Sequence, residues 1–271
     1  MQLQQQVILI TGASSGFGKI SAQMLAERGH IVYGTNRKQT ESSGKVTMLV
    51  VDVTDPSSIE QAVNQIYSKH GRIDVLINNA GMGIGGALEL ATKEEVALQM
   101  DTNFFGVVNM CKAVLPLMRK AQKGKIINLS SIAGIMAVPY QGFYSASKFA
   151  IEGYSEALAL ELHPFNIKIC LVEPGDFKTG FTASRNISTA TLNDSDYGER
   201  FAKALALIEK AENQGSNPAL LGKAICKIVE KKKPSFRTLV GPLEQILFAR
   251  VKSYLPNKVI QFILRSFYDI K

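Results

Sequence analysis

A short aliphatic run, Val7-Ile-Leu-Ile10, leads directly into Thr11-Gly12-Ala13-Ser14-Ser15-Gly16-Phe17-Gly18, and a helix-forming stretch follows at once. This order constrains the fold more than any other feature of the chain. An unbroken apolar strand needs cover on both faces. A glycine turn that runs straight into a helix aims free backbone N–H groups and the positive end of the helix dipole at one point, which suits a phosphate. The glycines divide the work. Gly12 permits the tight turn, Gly16 lets backbone approach a pyrophosphate, and Gly18 lets the helix lie close to the sheet.

The rest of the chain repeats the theme. Strand-like runs are expected at 7–10, 31–35, 46–51, 73–77, 125–130, 167–172 and 236–240, with helical stretches near 18–28, 56–69, 93–120, 143–162 and 218–232. Thr54-Asp55-Pro56 is a clear start signal, a cap followed by Pro in the first turn. Alternation of this kind implies an α/β fold, a doubly wound parallel sheet of about seven strands with helices on both faces. One domain over 1–271 is expected, with a core over 5–240. Segment 176–216 is polar and rich in Ser, Thr and Asn; it is expected to form a lid, with one helix from Glu199 to Glu212. Residues 241–271 form a C-terminal helical appendage.

Charge separates these regions. The 31 basic and 23 acidic residues leave a net +8, yet residues 1–222 balance at 20 of each sign. The whole excess lies in 223–271, with 11 basic and 3 acidic residues. A nucleic-acid-binding protein with a basic surface throughout is therefore excluded. No run of about 18 apolar residues exists to span a membrane, and the N-terminus lacks the basic region and cleavage site of a signal peptide. Cys111, Cys170 and Cys226 show no metal or disulfide spacing and are expected to be buried thiols in a reducing compartment. His30, His70 and His163 stand beside turn signals and are expected at the surface; no metal site is expected.

The spacing Gly-x3-Gly-x-Gly with Thr in front resembles the short-chain dehydrogenase/reductase family. Four further motifs extend the resemblance over residues 5–240: Asp52-Val53, Asn78-Asn79-Ala80-Gly81, Ser131 with Tyr144 and Lys148, and Pro174-Gly175 with Thr179. The phrases VYGTNR, NNAGMG and VEPGDFKTGF are most similar to the branch of 17β-hydroxysteroid and retinol dehydrogenases. The resemblance implies a nicotinamide dinucleotide held by Gly12, Ser14, Ser15, Gly16, Phe17 and Gly18, with Asp52 and Val53 at the adenine. Asn79, Ala80 and Gly81 would line it, and Pro174, Gly175, Phe177 and Thr179 would enclose the nicotinamide. Asp176, after the glycine, departs from the usual pattern. At the end of the second strand Asn36 stands where a carboxylate would select NAD, and Arg37 follows. A guanidinium can hold a 2′-phosphate that a carboxylate would repel, so NADP(H) is expected in preference to NAD(H).

Tyr144 and Lys148 are four apart and share one helix face. A carbonyl reductase needs a proton donor for the carbonyl oxygen. Tyrosine is a weak acid near neutrality, and an ammonium one turn away favours the phenolate. Lys148 can also bond the nicotinamide ribose. Tyr254 and Lys258 repeat the spacing but enclose Pro256. By resemblance, Ser131, with Ser130 as its neighbour, polarises the substrate oxygen, and Asn103 perturbs its helix so that a water relays protons to the lysine.

The substrate side is expected to hold Ser131, Met136, Gln141, Phe143, Tyr144 and Phe181, with Ile135, Val138 and Phe177 nearby. Their apolar character implies a small lipophilic ketone, aldehyde or alcohol: a steroid, retinoid, long-chain ketone or ketosphingoid base. A β-ketoacyl carrier-protein reductase is one alternative, and a non-catalytic NADP-binding regulator is another. A homodimer or homotetramer is implied through the two long helices. A cytoplasmic location is expected. In 257–271 an apolar stripe runs beside Lys258, Gln261, Arg265 and Asp269. Such a helix either docks on the body of the protein or rests on a membrane surface as a peripheral contact.

Overall fold

A computed structural model describes residues 4–42 and 44–270; residues 1–3, Ser43 and Lys271 of the basic tail lie outside the described residues. In chain order the elements are β1 (Val7–Ile10), α1 (Gly16–Glu27), β2 (Ile31–Asn36), β3 (Val46–Val50), α2 (Pro56–His70), β4 (Val75–Asn78), β5 (Ile84–Gly85), α3 (Lys93–Met100), α4 (Gly106–Lys120), β6 (Gly124–Leu129), α5 (Gly142–Glu161) and β7 (Ile167–Pro174). There follow α6 (Phe181–Ser184), β8 (Asn186–Ile187), α7 (Thr189–Leu192), α8 (Gly198–Asn213), α9 (Ala219–Glu230), β9 (Arg237–Val240), α10 (Leu243–Val251) and α11 (Asn257–Phe267).

Seven strands form one parallel sheet in the order β3-β2-β1-β4-β6-β7-β9. The order reverses beside β1, so the carboxyl ends of β1 and β4 open a crevice of the kind that binds dinucleotides. Strand β1 shows why an unbroken apolar run was needed. Val7 and Leu9 join the core beneath α2, α4 and α5, whereas Ile8 and Ile10 join the core beneath α1 and α9. Period-two alternation thus serves two apolar layers.

Local signals set the helices. The Asp55 carboxylate accepts from the backbone N–H groups of Ser57 and Ser58 to cap α2, Pro56 fills its first turn, and Gly71 ends it at φ 65°. Thr92 and Glu95 form a reciprocal capping box on α3. The stretch expected as one helix over 93–120 divides. A π-helical turn, Asp101–Phe105, separates α3 from α4 and carries Asn103. Such turns insert one residue and re-aim a side chain.

His30 corrects the expectation for the histidines. It is 5 % exposed, because β2 begins at the next residue and the imidazole Nδ1 accepts the backbone N–H of Gln6. Burial lowers its pKa. His70 is half-buried and bonds the Tyr33 hydroxyl, while His163 is exposed. All three cysteines are buried and free.

At the sheet edge, Arg237 of β9 forks to Glu152 and Glu156 of α5 and to the fully buried Glu173 of β7. Beyond β9 the appendage folds back onto the body. Gln245 of α10 bonds Asp176, Lys252 donates to the carbonyl of Ile135, and Ile260 and Tyr268 are buried. Its outer side leaves Leu243, Leu247, Tyr254, Phe262 and Phe267 exposed.

Candidate active site

The loop between β1 and α1 has the shape its glycines foretold. Gly16 adopts φ 51°, with nothing within 4 Å of where a Cβ would stand, so its outer side is open. Gly18 has the opposite constraint: a Cβ there would lie 2.3 Å from the carbonyl oxygen of Gly12. Ser15 caps α1 in extended conformation without a side-chain hydrogen bond, and no acidic residue occupies the first turn. The first N–H groups of the helix are thus left for an anion. Phe17 packs edge-on against the buried Phe177, with ring centroids 5.0 Å apart.

The segment after β4 braces this loop. The Asn79 amide donates to the carbonyls of Thr11 and Gly12 at 2.9 and 3.0 Å, and the Thr11 hydroxyl accepts the backbone N–H groups of Asn79 and Ala80, both at 2.9 Å. Deeper in the sheet, Asn78 bonds Asn128 of β6 at 2.8 Å. At the end of β2, the Asn36 amide donates to the Lys38 carbonyl and the Thr40 hydroxyl, shaping a turn that leaves Arg37 exposed. Asp52 accepts from the backbone N–H and hydroxyl of Thr54 through one oxygen, and Val53 is buried against Gly106.

These features fit a dinucleotide. The open glycine, the uncapped helix end and a strand end bearing Arg37 instead of a carboxylate lie along one crevice. Gly81 supports the fit. A Cβ at that position would meet Asn103 Oδ1 at 3.3 Å and Lys148 Nζ at 3.8 Å, so the missing side chain keeps the floor of the crevice clear.

Ser131, Tyr144 and Lys148 converge at the end of β6. The Ser131 hydroxyl donates to the Pro174 carbonyl at 3.3 Å, accepts from Ala133 N–H at 3.1 Å and hydrogen-bonds Tyr144. Ser130 points elsewhere, its hydroxyl buried against Gly134. Lys148 Nζ lies 5.7 Å from the centre of the Tyr144 ring and donates to the Leu129 carbonyl at 2.9 Å. Asn103 is fully buried. It accepts from Met82 N–H at 2.9 Å and donates to the Met82 carbonyl and the Ser147 hydroxyl. Residues from the π-turn, β6 and α5 are thereby fixed on rigid elements.

The electrostatics differ from the expectation that the ammonium governs the phenol. Burial pushes the Tyr144 phenol up to about 12, against the opposing effect of the Ser131 hydrogen bond. Burial pulls the Lys148 ammonium down to about 8, against the attraction of Glu152. At neutral pH both groups hold protons, Tyr144 firmly and Lys148 loosely. The second Tyr-x3-Lys pair is unlike this one: Tyr254 is 86 % exposed, and Pro256 separates it from α11, the helix that holds Lys258.

On the substrate side, Met136 and Gln141 are buried, Phe143 is half-buried, and Phe181 packs on Tyr144 with ring centroids 5.7 Å apart. The lid holds Phe181 in place through β8, which pairs with β5, and Thr179 accepts the Phe181 N–H. Sequence reasoning missed three contacts here. Arg185 forms a buried ion pair with Glu212, Thr182 donates to Glu212 at 2.6 Å, and Gln245 donates to Asp176 at 2.6 Å. The unusual Asp176 was their one visible signal.

Comparison with known proteins agrees with this geometry. A family model described as short chain dehydrogenase matches residues 6–189. The 3-ketodihydrosphingosine reductase of Bacteroides thetaiotaomicron is 69 % identical over 269 residues, 99 % of this chain and 100 % of the relative. The NADPH-dependent 3-dehydrocapnine reductase of Ornithobacterium rhinotracheale is 32 % identical, over 97 % of this chain and 96 % of the relative. Among solved structures, a short-chain dehydrogenase from Streptomyces avermitilis superposes with a TM-score of 0.83 at 29 % identity, covering 100 % of this chain and 98 % of that one.

Proposed function

Since the chain belongs to the short-chain dehydrogenase family of oxidoreductases, we propose that it reduces the 3-ketone of a long-chain sphingoid base to the secondary alcohol, with NADPH as the reductant. The observation that carries this reading is the convergence of Ser131, Tyr144 and Lys148 beneath an open glycine cradle. The identity of 69 % to a 3-ketodihydrosphingosine reductase along nearly the whole chain supports the choice of ketone.

The chain's own residues have separable tasks. Gly12, Ser14, Ser15, Gly16, Phe17 and Gly18 would hold the pyrophosphate side of the dinucleotide, and Arg37 its 2′-phosphate. Asp52 and Val53 would lie at the adenine. Asn79, Ala80 and Gly81 would line the middle, and Pro174, Gly175, Phe177 and Thr179 the nicotinamide. When bound, that cofactor supplies the hydride. Ser131 donates a hydrogen bond that polarises the carbonyl. Tyr144 keeps its proton until the developing alkoxide takes it up, which burial of the phenol favours. Lys148 sits where its ammonium can steady the resulting phenolate and restore the proton, with Asn103 fixing the adjacent backbone. Tyr144→Phe should lower kcat by about a thousandfold, within the usual range for loss of a proton donor, while the Kd for NADPH in a fluorescence titration stays within about twofold. Undiminished turnover would refute the mechanism.

The same proposal extends to partners. Exposed Phe105, Phe149 and Leu160 on or beside α4 and α5 support self-association through those helices, to a dimer or tetramer. The outer apolar side of the appendage, with Arg250, Lys258 and Arg265 beside it, supports peripheral contact of a cytoplasmic protein with an anionic membrane that holds the lipid substrate. Co-sedimentation with anionic vesicles tests this, and failure to bind would refute it.

A further inference from the structure

The appendage lies beyond residues 6–189, the part that matches the family model, yet its inner side is polar and meets two loops of the active site. One loop follows β6 and runs from Ser131 to Ile135. The other follows β7 and runs through Pro174-Gly175-Asp176. They touch where the Ser131 hydroxyl donates to the Pro174 carbonyl at 3.3 Å. The position of the second loop therefore sets the position of the serine hydroxyl before a ketone arrives.

Helix α10 grips both loops. The Gln245 amide oxygen accepts the Asp176 N–H at 2.9 Å, and the amide nitrogen donates to Asp176 Oδ2 at 2.6 Å. About two turns further on, Lys252 donates to the Ile135 carbonyl and lies 5.7 Å from the centre of the Phe149 ring. Between these contacts Ala249 is buried, whereas Leu243, Leu247 and Val251 are exposed. Two glycines fit the grip. A Cβ at Gly175 would overlap the Gln245 amide oxygen. Gly241, at φ 152°, turns the chain from β9 towards α10, and a Cβ there would lie 3.1 Å from the Gly175 nitrogen.

Apolar docking of a tail needs no reciprocal pair of hydrogen bonds at this point. Asp176 departs from the usual family pattern, and Gln245 supplies the acceptor for its N–H and a donor for its carboxylate. A turn fixed at Asp176 fixes its neighbours Pro174 and Gly175, and with them Ser131. Displacements of about 1 Å among reacting groups are enough to cost rate.

We infer that Gln245 is a positioning residue, whose paired hydrogen bonds to Asp176 hold the Pro174-Gly175 turn and hence the Ser131 hydroxyl, while Lys252 anchors the far end of α10 on the loop after Ser131. The inference rests on the ketoreductase reading and adds that the appendage completes the active site.

The test inverts the pair in the full-length enzyme. Gln245→Glu keeps the acceptor for the Asp176 N–H but sets a carboxylate against Asp176 Oδ2. Combining Gln245→Glu with Asp176→Asn restores one donor and one acceptor with their places exchanged. NADPH oxidation with a long-chain 3-ketosphingoid base gives kcat and KM, NADPH fluorescence gives the cofactor Kd, and urea denaturation confirms that each variant is folded under assay conditions. Gln245→Glu should lower kcat by about 10- to 100-fold with KM and the NADPH Kd within about threefold, and the double variant should return kcat to within about threefold of wild type. A structural role alone would shift the urea midpoint and leave the kcat of folded enzyme unchanged. An unchanged kcat in Gln245→Glu, or no recovery in the double variant, would overturn the inference and leave the reductase standing. If Gln245→Glu fails to fold, Gln245→Leu takes its place: it removes both bonds without adding charge and should lower kcat by about tenfold, and an unchanged kcat there would likewise overturn the inference. Absence of turnover in the wild type would overturn the ketoreductase reading and the inference with it.

Discussion

Replacing Lys148 with Met should stabilise the fold while ending turnover. The magnitude follows from burial. Moving the ammonium from 10.5 to about 8 corresponds to about 3 kcal/mol of resistance to the charged form below pH 8. The hydrogen bond from Nζ to the Leu129 carbonyl at 2.9 Å offsets about 2 kcal/mol of this. Methionine fills nearly the same volume without a charge, so a net gain of about 1 kcal/mol is expected near pH 7. The sign of the pH dependence is fixed. The unfolded lysine keeps its proton up to 10.5, whereas the folded one releases it near 8. Between those values the unfolded state holds more protons, so wild-type stability climbs with pH and the variant's does not. The advantage of Lys148→Met is therefore greatest below pH 8 and disappears towards pH 10. Urea denaturation of both proteins at about pH 7 and about pH 9.5, with NADPH oxidation measured alongside, tests this. A variant less stable by the same margin at both pH values would refute the reasoning.

Two further outcomes are expected. Arg37→Glu should lower the NADPH-over-NADH ratio of kcat/KM by about 100-fold, because it replaces a charge-assisted fork with repulsion; an unchanged ratio in steady-state kinetics would remove Arg37 from cofactor selection. Asn103→Ala leaves the Met82 N–H without a partner, while the Met82 carbonyl keeps Gln99 and the Ser147 hydroxyl keeps the Tyr144 carbonyl, and should cost about 1–3 kcal/mol in urea denaturation; a loss well below about 1 kcal/mol would mean that the π-turn does not depend on it.

What could be read in the sequence followed rules local to a few residues. The strand before Gly12, the cap at Asp55 and the pairing of Tyr144 with Lys148 are each set by neighbours within one or two turns. What escaped depends on distant partners. The π-turn exists because Asn103 reaches Met82, 21 residues upstream. His30 beside Gly29 has the pattern of a surface turn, and only the arrival of Gln6 buries it. Arg185 and Glu212 lie in a polar stretch that reads as a mobile lid. Their ion pair joins positions 27 apart in the chain, next to the pairing of β8 with β5. Burial, which no short motif reports, also reversed the expected direction of the Tyr144 shift.

The Arg237 fork also decides which segment can close this edge of the sheet. Strand β9 is the last sheet strand in the chain and pairs with β7 at the end of the sheet. Without a cation there, Glu152 and Glu173 would be left in the core with only each other, and the charge on Glu152 strengthens the hold of Glu173 on a proton. A strand with no arginine at that position would leave buried carboxylates unpaired, which is costly. The seat of β9 beside Leu171 of β7 is thus specified by charge as well as by backbone pairing.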